Sequence, residues 1–365
     1  MASTAKHDWP MVPFSESVDD VTRGLKKVQK SAYEEVGSTP IVDQSMDFIC
    51  GYTDEIPTLV SPPYIVFGDH TRELKYLDFA FVPGADGVKV LKPAEGIDPK
   101  FLYYYLKAHP VQDLGYSRHF KLLKELTIPL PPLEEQRCIA AILDEVEDRV
   151  SITRSAVHRL DHLLESEFRR RFVAQECSIA RLGDLAVWKS GGTPSRSARD
   201  YFDGEIPWFT SGELDSAYVS ESKECITDLA ISESAAKLFG PGTLLVGMYD
   251  TAALKSSIAT ASGTCNQAVA FTSRWLIEPD PLFVYLAIQS IRPKVLLRRR
   301  GARQKNLNLS IIREIEIPFP DSSTRSAFTT FAERVLELSQ KHLWRLQLLE
   351  ELRKSLSTRA FQGEL

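Results

Sequence analysis

The chain repeats itself once, and that constrains its architecture more than any single motif. Residues 119–131 (HFKLLKELTIPLP) align without a gap to residues 308–320 (NLSIIREIEIPFP), a spacing of 189 residues. The register then holds: Asp144 falls on Glu333, Leu163 on Leu352, Arg170 on Arg359 and Phe172 on Phe361. Upstream the match weakens and the offset drifts. Asp98-Pro99-Lys100-Phe101 meets Asp280-Pro281-Leu282-Phe283, and Gly68 with Gly84 meets Gly247 with Gly263. Drift followed by lock-step, seen twice, reads as a variable module and a constrained one, duplicated. A period this long means duplicated domains and not a solenoid. With 365 residues the chain has room for about two separate cores.

The constrained part of each copy reads as one long helix introduced by a proline-rich break. Pro129, Pro131 and Pro132 end the first module, because proline lacks the N–H that a continuing helix or sheet would use. Glu134 and Glu135 follow in the first helical turn, where the positive end of the helix dipole favours acids. Apolar residues then recur at Ile139, Leu143, Val146, Val150, Val157, Leu160, Leu164, Phe168 and Phe172, with Thr153 filling one gap. The second copy runs Phe328, Phe331, Val335, Leu338, Leu346, Leu349, Leu352 and Leu356. Steps of three and four trace a seam that packs on a partner helix, while the other faces are densely charged. About 40 residues at 1.5 Å each make a rod of roughly 60 Å. The cheapest partner for each rod is the other copy, running antiparallel.

The variable modules alternate short β-rich runs (64–67, 79–82 and 88–91; 243–246 and 268–272) with turn residues and one short helix each (99–107 and 281–290). That is a mixed α/β pattern rich in loops, suited to presenting polar side chains. The expected organisation is a module over 1–132, a helix over 133–176, a module over 177–317 and a helix over 318–365.

Composition excludes several classes. No apolar run approaches the ~18 residues of a membrane span, and the N-terminal stretch has no signal-peptide pattern. Cys50, Cys138, Cys177, Cys225 and Cys265 are odd in number and form no CxxC pair, as expected of reduced thiols in a cytoplasmic protein without zinc or disulfides. A net charge of −5 says only that any nucleic-acid surface must be local.

The stretch LTIPLPPLEEQRCIAAILD (126–144), followed by a long helix, resembles the first conserved region of Type I restriction–modification specificity subunits. The ending RAFQGEL (359–365) is similar to the close of their second conserved region. RLGDLAVWKSGGTPS (181–195) resembles the opening of a target-recognition domain, and GARQKNLNLSIIREIEIPFP (301–320) its end. The order and duplication of these motifs cover essentially the whole chain. The resemblance implies two globular α/β target-recognition domains separated by two long antiparallel coiled-coil helices, related by a pseudo-twofold internal repeat. It further implies that each domain reads one half of a split double-stranded DNA target. The helices would act as a ruler, as spacing does for paired half-sites. Two modification subunits would dock on the helices and transfer a methyl group from S-adenosylmethionine to adenine N6, with a motor/nuclease subunit in systems that also cleave. No cofactor or metal is expected on this chain itself. Two departures stand out: PPLEEQR (131–137) becomes PDSSTRS (320–326), and the first module has no GGTP turn like Gly191-Gly192-Thr193-Pro194.

Candidate DNA contacts follow. Arg292, Lys294, Arg298, Arg299, Arg300, Arg303 and Lys305 are seven cations in fourteen residues without an acid, interleaved with Gln304 and followed by Asn306 and Asn308. Cations anchor phosphates and release counterions, and Arg, Gln and Asn pair two-pronged with guanine or adenine. The matching stretch of the first module holds Tyr116, Arg118, His119 and Lys121. Lys26, Lys27, Gln29, Gln44, His70 and Arg72 join them there; in the second module the candidates are Thr193, Ser195, Arg196, Thr210, Ser211, Tyr249, Lys255, Asn266 and Gln267. Trp208 and Tyr201 read as core. The rival reading is an enzyme with its own centre in one module. Ser61-Pro62-Pro63-Tyr64 matches the motif by which amino-methyltransferases grip a flipped adenine, yet no cofactor-type glycine loop accompanies it. Asp203 or Asp215 with Glu221-Ser222-Lys223, or Glu73-Leu74-Lys75, could supply nuclease acids and a lysine, but such triplets are common in any charged chain. The reading preferred is a non-catalytic recognition subunit.

Overall fold

Prolines and polar turns cut each module into short strands, and the duplication is visible in how those strands pair. The computed structural model describes residues 9–85, 87–115, 117–175, 177–249, 252–299 and 306–365; the side chains of Arg298 and Arg299 lie outside that description. Two compact units form: residues up to Ser155 together with Leu343–Leu365, and Ala156–His342.

In the first unit Val18–Asp20, Val88–Pro93, Tyr64–Gly68 and Leu74–Leu77 make a four-stranded antiparallel sheet in that order. A second sheet places Thr39–Val42 between Gly51–Thr53 and the parallel Val82–Pro83. Met11–Pro13 pairs with Thr127–Pro129, tying the two ends of the module together. The apolar helix Pro99–Ala108 packs Phe101, Leu102 and Leu106 on the first sheet with Phe67 and Leu91. Its N-cap Asp98 accepts the Lys100 and Phe101 N–H groups, both at 3.0 Å.

The second unit repeats the plan. Its main sheet runs Ala186–Ser190, Val269–Trp275, Leu244–Gly247, Ser256–Ala259 and Tyr218–Val219. The small sheet again has a central strand, Ile206–Phe209, flanked by Cys225–Ile226 and the parallel Thr264–Cys265. Ile179–Arg181 closes on Glu316–Pro318. The expected short helix is Pro281–Arg299, longer than the sequence pattern proposed, because Pro293 sits inside it without ending it.

Both long helices form, over Leu133–Phe168 (continued by one wide turn, Arg169–Val173) and over Ser322–Ala360. Within each unit their segments run antiparallel. In the first, Arg353 reaches Glu147 at 3.3 Å while Arg154 reaches Glu350 at 2.7 Å, so the numbers climb on one helix and fall on the other. In the second, Phe168 and Phe172 set their rings 5.5 and 5.1 Å from Phe328, and Leu164 shares a core with Val335. The first helix buries Ile139, Leu143, Val146, Val150, Thr153 and Leu164 as its spacing required, with Val157 and Leu160 half-buried.

The second helix corrects the sequence reading at two positions. Leu338 is 45% exposed and Leu352 46%. The inward line instead passes through Phe328, Ala332, Val335, Ser339, His342, Leu346, Leu349, Arg353, Leu356 and Ala360, with Phe331 half-buried beside it. These steps alternate four and three, a heptad seam. Hydrophobicity marked the wrong residues because small Ala and Ser, and an Arg paired with Glu147, occupy seam positions that carry no apolar signal.

The departure at PPLEEQR is also explained. Buried Gln136 accepts the Asp98 N–H at 2.8 Å and donates to the Pro131 carbonyl at 2.8 Å. At the repeat position Arg325 donates to the Pro320 carbonyl at 2.6 Å and lies 4.0 Å over the Phe319 ring, facing Asp280 at 3.7 Å. One long cation in the second copy replaces a neutral amide in the first.

Candidate nucleic-acid interface

Each unit gathers three loops around the end of its small central strand. In the first unit they are residues 43–50 after Thr39–Val42, the hairpin loop 69–73, and the loop that follows Val82–Pro83. The His70 N–H donates to Gln44 Oε1 at 3.1 Å, Thr71 Oγ1 donates to the Gln44 carbonyl at 2.5 Å, and the Asp69 N–H reaches the Gly87 carbonyl at 2.6 Å. Gly87 is required there: its φ is +79°, and a Cβ would lie 2.5 Å from Gln44 Oε1. Beside this junction a small cleft of about 180 Å³ is lined by Thr22, Lys27, Asp69, His70, Lys89 and Arg118. Lys27, His70 and Arg118, distant in sequence, thus meet in one place with Lys89, which the sequence reading did not name and which pairs with Asp20 at 3.2 Å.

Not every candidate faces outward. His119 is 0% exposed, with Nδ1 directed at the Asp69 carbonyl (3.0 Å) and Nε2 accepting the Leu114 N–H (3.0 Å). Both ring nitrogens are used inside the fold. His119 holds the hairpin loop, with its own N–H also on the Asp69 carbonyl at 2.8 Å. Arg72 pairs with Asp113 at 2.7 Å and Lys26 with Glu55 at 2.6 Å, both near the surface. Gln29, Arg118 and Lys121 are exposed. Tyr116 lies outside the described residues.

The second unit builds the same cluster from residues 210–216, 248–255 and 266–268. The Asn266 N–H reaches the Phe209 carbonyl at 3.0 Å, the Met248 N–H the Ala268 carbonyl at 2.8 Å, and Lys255 pairs with Asp215. Thr193 Oγ1 donates to Gln267 Oε1, which brings the GGTP turn to the same cluster. That turn needs its glycines: a Cβ on Gly191 would lie 2.0 Å from the Cys265 carbonyl oxygen, and one on Gly192 2.2 Å from that of Ala235. Thr210, Ser211 and Asn266 are half-buried; Ser195, Tyr249 and Gln267 are exposed. Arg196 forks onto Glu224 at 2.6 and 2.8 Å and lies over Phe202 and Trp208. An exposed pair of this kind contributes at most about 1 kcal/mol, so a phosphate could displace the carboxylate at little cost. Trp208 is core, its Nε1–H on the Gly192 carbonyl at 3.0 Å.

Of the basic run, Arg300, Arg303, Gln304 and Lys305 and the side chains of Arg298 and Arg299 lie outside the described residues. Both flanks of the run are tied to the hairpin loop. Arg292 Nε donates to the Ala253 carbonyl at 3.0 Å, and the Leu307 N–H donates to the Met248 carbonyl at 2.7 Å. The latter bond repeats the His119-to-Asp69 tether of the first unit.

Tyr64 of the Ser-Pro-Pro-Tyr segment is buried at the start of a strand. Asp215, Glu221, Ser222 and Lys223 do share a shallow cavity with Glu213. Glu213, however, accepts the Thr210 and Lys223 N–H groups at 2.8 and 2.7 Å, and Asp215 is held by Lys255. Among the described residues no three His, Cys, Asp or Glu side chains are grouped to hold a metal. Among the same residues, no helix is long and apolar enough to cross a membrane.

Each unit thus holds one copy of the duplicated α/β module, one loop cluster and a pair of antiparallel long-helix segments. The family model for the Type I restriction modification DNA specificity domain matches twice, over residues 18–159 and 175–327. The chain belongs to that family. It is 23% identical over 346 residues to the Type I restriction enzyme EcoR124I/EcoR124II specificity subunit of Escherichia coli, spanning 86% of this chain and 81% of that one. A putative type I restriction enzyme MjaX specificity subunit of Methanocaldococcus jannaschii is 20% identical, with 98% and 94% covered. The crystal structure of a Type-I restriction-modification system S subunit from M. genitalium shares the fold, with TM-score 0.69, 16% identity and 99% and 98% coverage.

Proposed function

We propose that this chain is the DNA-recognition subunit of a Type I restriction–modification complex, each loop cluster reading one half of a split duplex target. The observation that carries this reading is the recurrence of one three-loop cluster, built the same way, in both copies of the family's domain. Two modification subunits, docked on the long helices, bind S-adenosylmethionine and methylate adenine N6; a motor/nuclease subunit joins them where cleavage occurs. The length of the helix pair sets how many base pairs remain unread between the halves. This chain contributes no catalytic group: the acids best placed for one, Glu213 and Asp215, already serve as a cap and an ion-pair partner.

Single-molecule sequencing of methylated adenines in host DNA tests the reading. A split motif lost on deletion of this chain is expected; methylation that persists, or a continuous motif, rejects it. Equilibrium binding of labelled S-adenosylmethionine separates the rival: saturable uptake by this chain alone would make it an enzyme in its own right.

A further inference from the structure

The loop at residues 43–50 of the first unit has a tip and a base of opposite character. At the tip Met46 is 84% exposed and Phe48 50%, the latter set edge-on against Phe79 at 6.0 Å, with Ile49 beside them. The base is held from below by Lys75, only 4% exposed, whose ammonium donates to the Asp43 carbonyl at 2.9 Å and to that of Asp47. The Asp43 carboxylate ties the rest, accepting from the Ser45 N–H at 2.8 Å, Cys50 Sγ at 2.8 Å and Tyr33 OH at 3.2 Å. A buried ammonium needs every proton satisfied, so its use here fixes the loop before any partner arrives. The equivalent loop of the second unit shows no such tip: Leu214 is buried, and Glu213 and Asp215 close the turn with polar bonds.

A rigid loop that keeps methionine and phenylalanine in water is shaped for an occupant. Its neighbours indicate which. Gln44, on the same loop, supports His70, which lines a cleft with Asp69, Lys27, Arg118 and Lys89, the last paired with Asp20 at 3.2 Å. Asp47, between Met46 and Phe48, is exposed; Lys75 holds its backbone carbonyl, not its carboxylate. Apolar residues flanked by cations match a nucleic-acid duplex, where phosphates meet the cations and an apolar wedge opens a base step. We propose that Met46, backed by Phe48, inserts at a base step of the half-target read by the first module, with Lys75 as the positioning residue that aims it. This rests on the functional reading above and adds to it that the two modules read by different means.

The test uses the full chain with its modification subunits and duplexes carrying the split motif obtained by methylome sequencing. 2-Aminopurine is placed at successive positions of both halves. Beyond the rise at the methylated adenines that base flipping by the modification subunits gives, wild type should raise 2-aminopurine fluorescence at one step of one half only. Met46→Ser with Phe48→Ser should abolish the rise at that step and weaken binding roughly tenfold, with an unchanged salt slope. Lys75→Met should lose the same signal while the other half stays protected, and Lys75→Arg should restore it in part. A rise away from the methylated adenines that survives the double serine variant overturns the wedge, as does intact modification with no rise away from those adenines. If the variants alter only self-association or protein capture, the tip serves a protein and the proposal is wrong. A genome without a split motif overturns the functional reading and this inference together.

Discussion

The two loop clusters are stapled from one equivalent strand position by different chemistry. Lys75, opposite Val66, spans two carbonyls of a long loop; Ser257, opposite Leu245, donates Oγ to the single Ser216 carbonyl at 2.6 Å. A long cation reaches and fixes an extended loop, whereas a hydroxyl suffices for a short capped turn. Duplication therefore preserved the place of the staple and let its length follow the loop. The same trade appears at the helix entrances, where Arg325 stands for Gln136. The lesson is that equivalent positions can be recognised by the carbonyl they serve and not by residue type.

The largest effect that would sharpen the comparison is a swap of residues 177–317 for a related module. One half of the methylated motif should change completely and the other remain; change in both would break the idea of separate reading. Inserting one heptad in residues 139–164 should abolish modification at the native spacing or lengthen the gap, as the methylated motif would show. Modification at the original spacing would rule out the helix pair as the gap-setter. Triple replacement of Arg298, Arg299 and Arg300 by Ala should weaken binding and lower the salt slope by up to about 3, read by titration at several salt concentrations. Among the staples, Lys75→Met leaves two carbonyls unserved and should cost about 2–4 kcal/mol, against about 1 kcal/mol for Ser257→Ala, by denaturant unfolding. The smallest effect concerns pH. Burial would raise the Asp43 carboxyl, but bonds from Cys50, Ser45 and Tyr33 hold it below the usual range, and burial with the Asp43 charge pushes Tyr33 up to about 12. A depressed carboxyl stabilises above its ordinary pKa and loses that contribution as pH falls through its folded value. Hydrogen-exchange protection at residues 43–50, corrected for the slower intrinsic exchange in acid, should fall before that at 210–216 as pH is lowered.

The duplication, the helices and the strand-rich modules were legible because they are written in period and punctuation. The seam from Ile139 to Leu164 was read correctly; Leu338 and Leu352 were misread, since Ser339 and Arg353 hold seam places by size and pairing. At the candidate interface, the sequence offered Gln44 and His70 as separate candidates but could not show that they meet, with Lys89 nearby, because that depends on strand order. His119 looked like a contact through its basic neighbours, and only burial revealed it as a brace. Lys75 drew notice only in the Glu73-Leu74-Lys75 triplet; nothing marked it as a staple, as a lysine within a four-residue strand is ordinarily a solvated one.

One consequence concerns synthesis. The second unit is a single uninterrupted stretch, whereas the first counts Leu343–Leu365 among its own residues. Ala360 is buried with Ile139 and Leu143, and Phe361 sets its ring 5.6 Å from Phe101 and 5.2 Å from Tyr105. On a ribosome moving at roughly 5–20 residues per second, the module translated first must wait about 10–40 s for its last wall. The head begun earliest is thus finished latest, and its unclosed apolar flank is what a nascent-chain chaperone would meet.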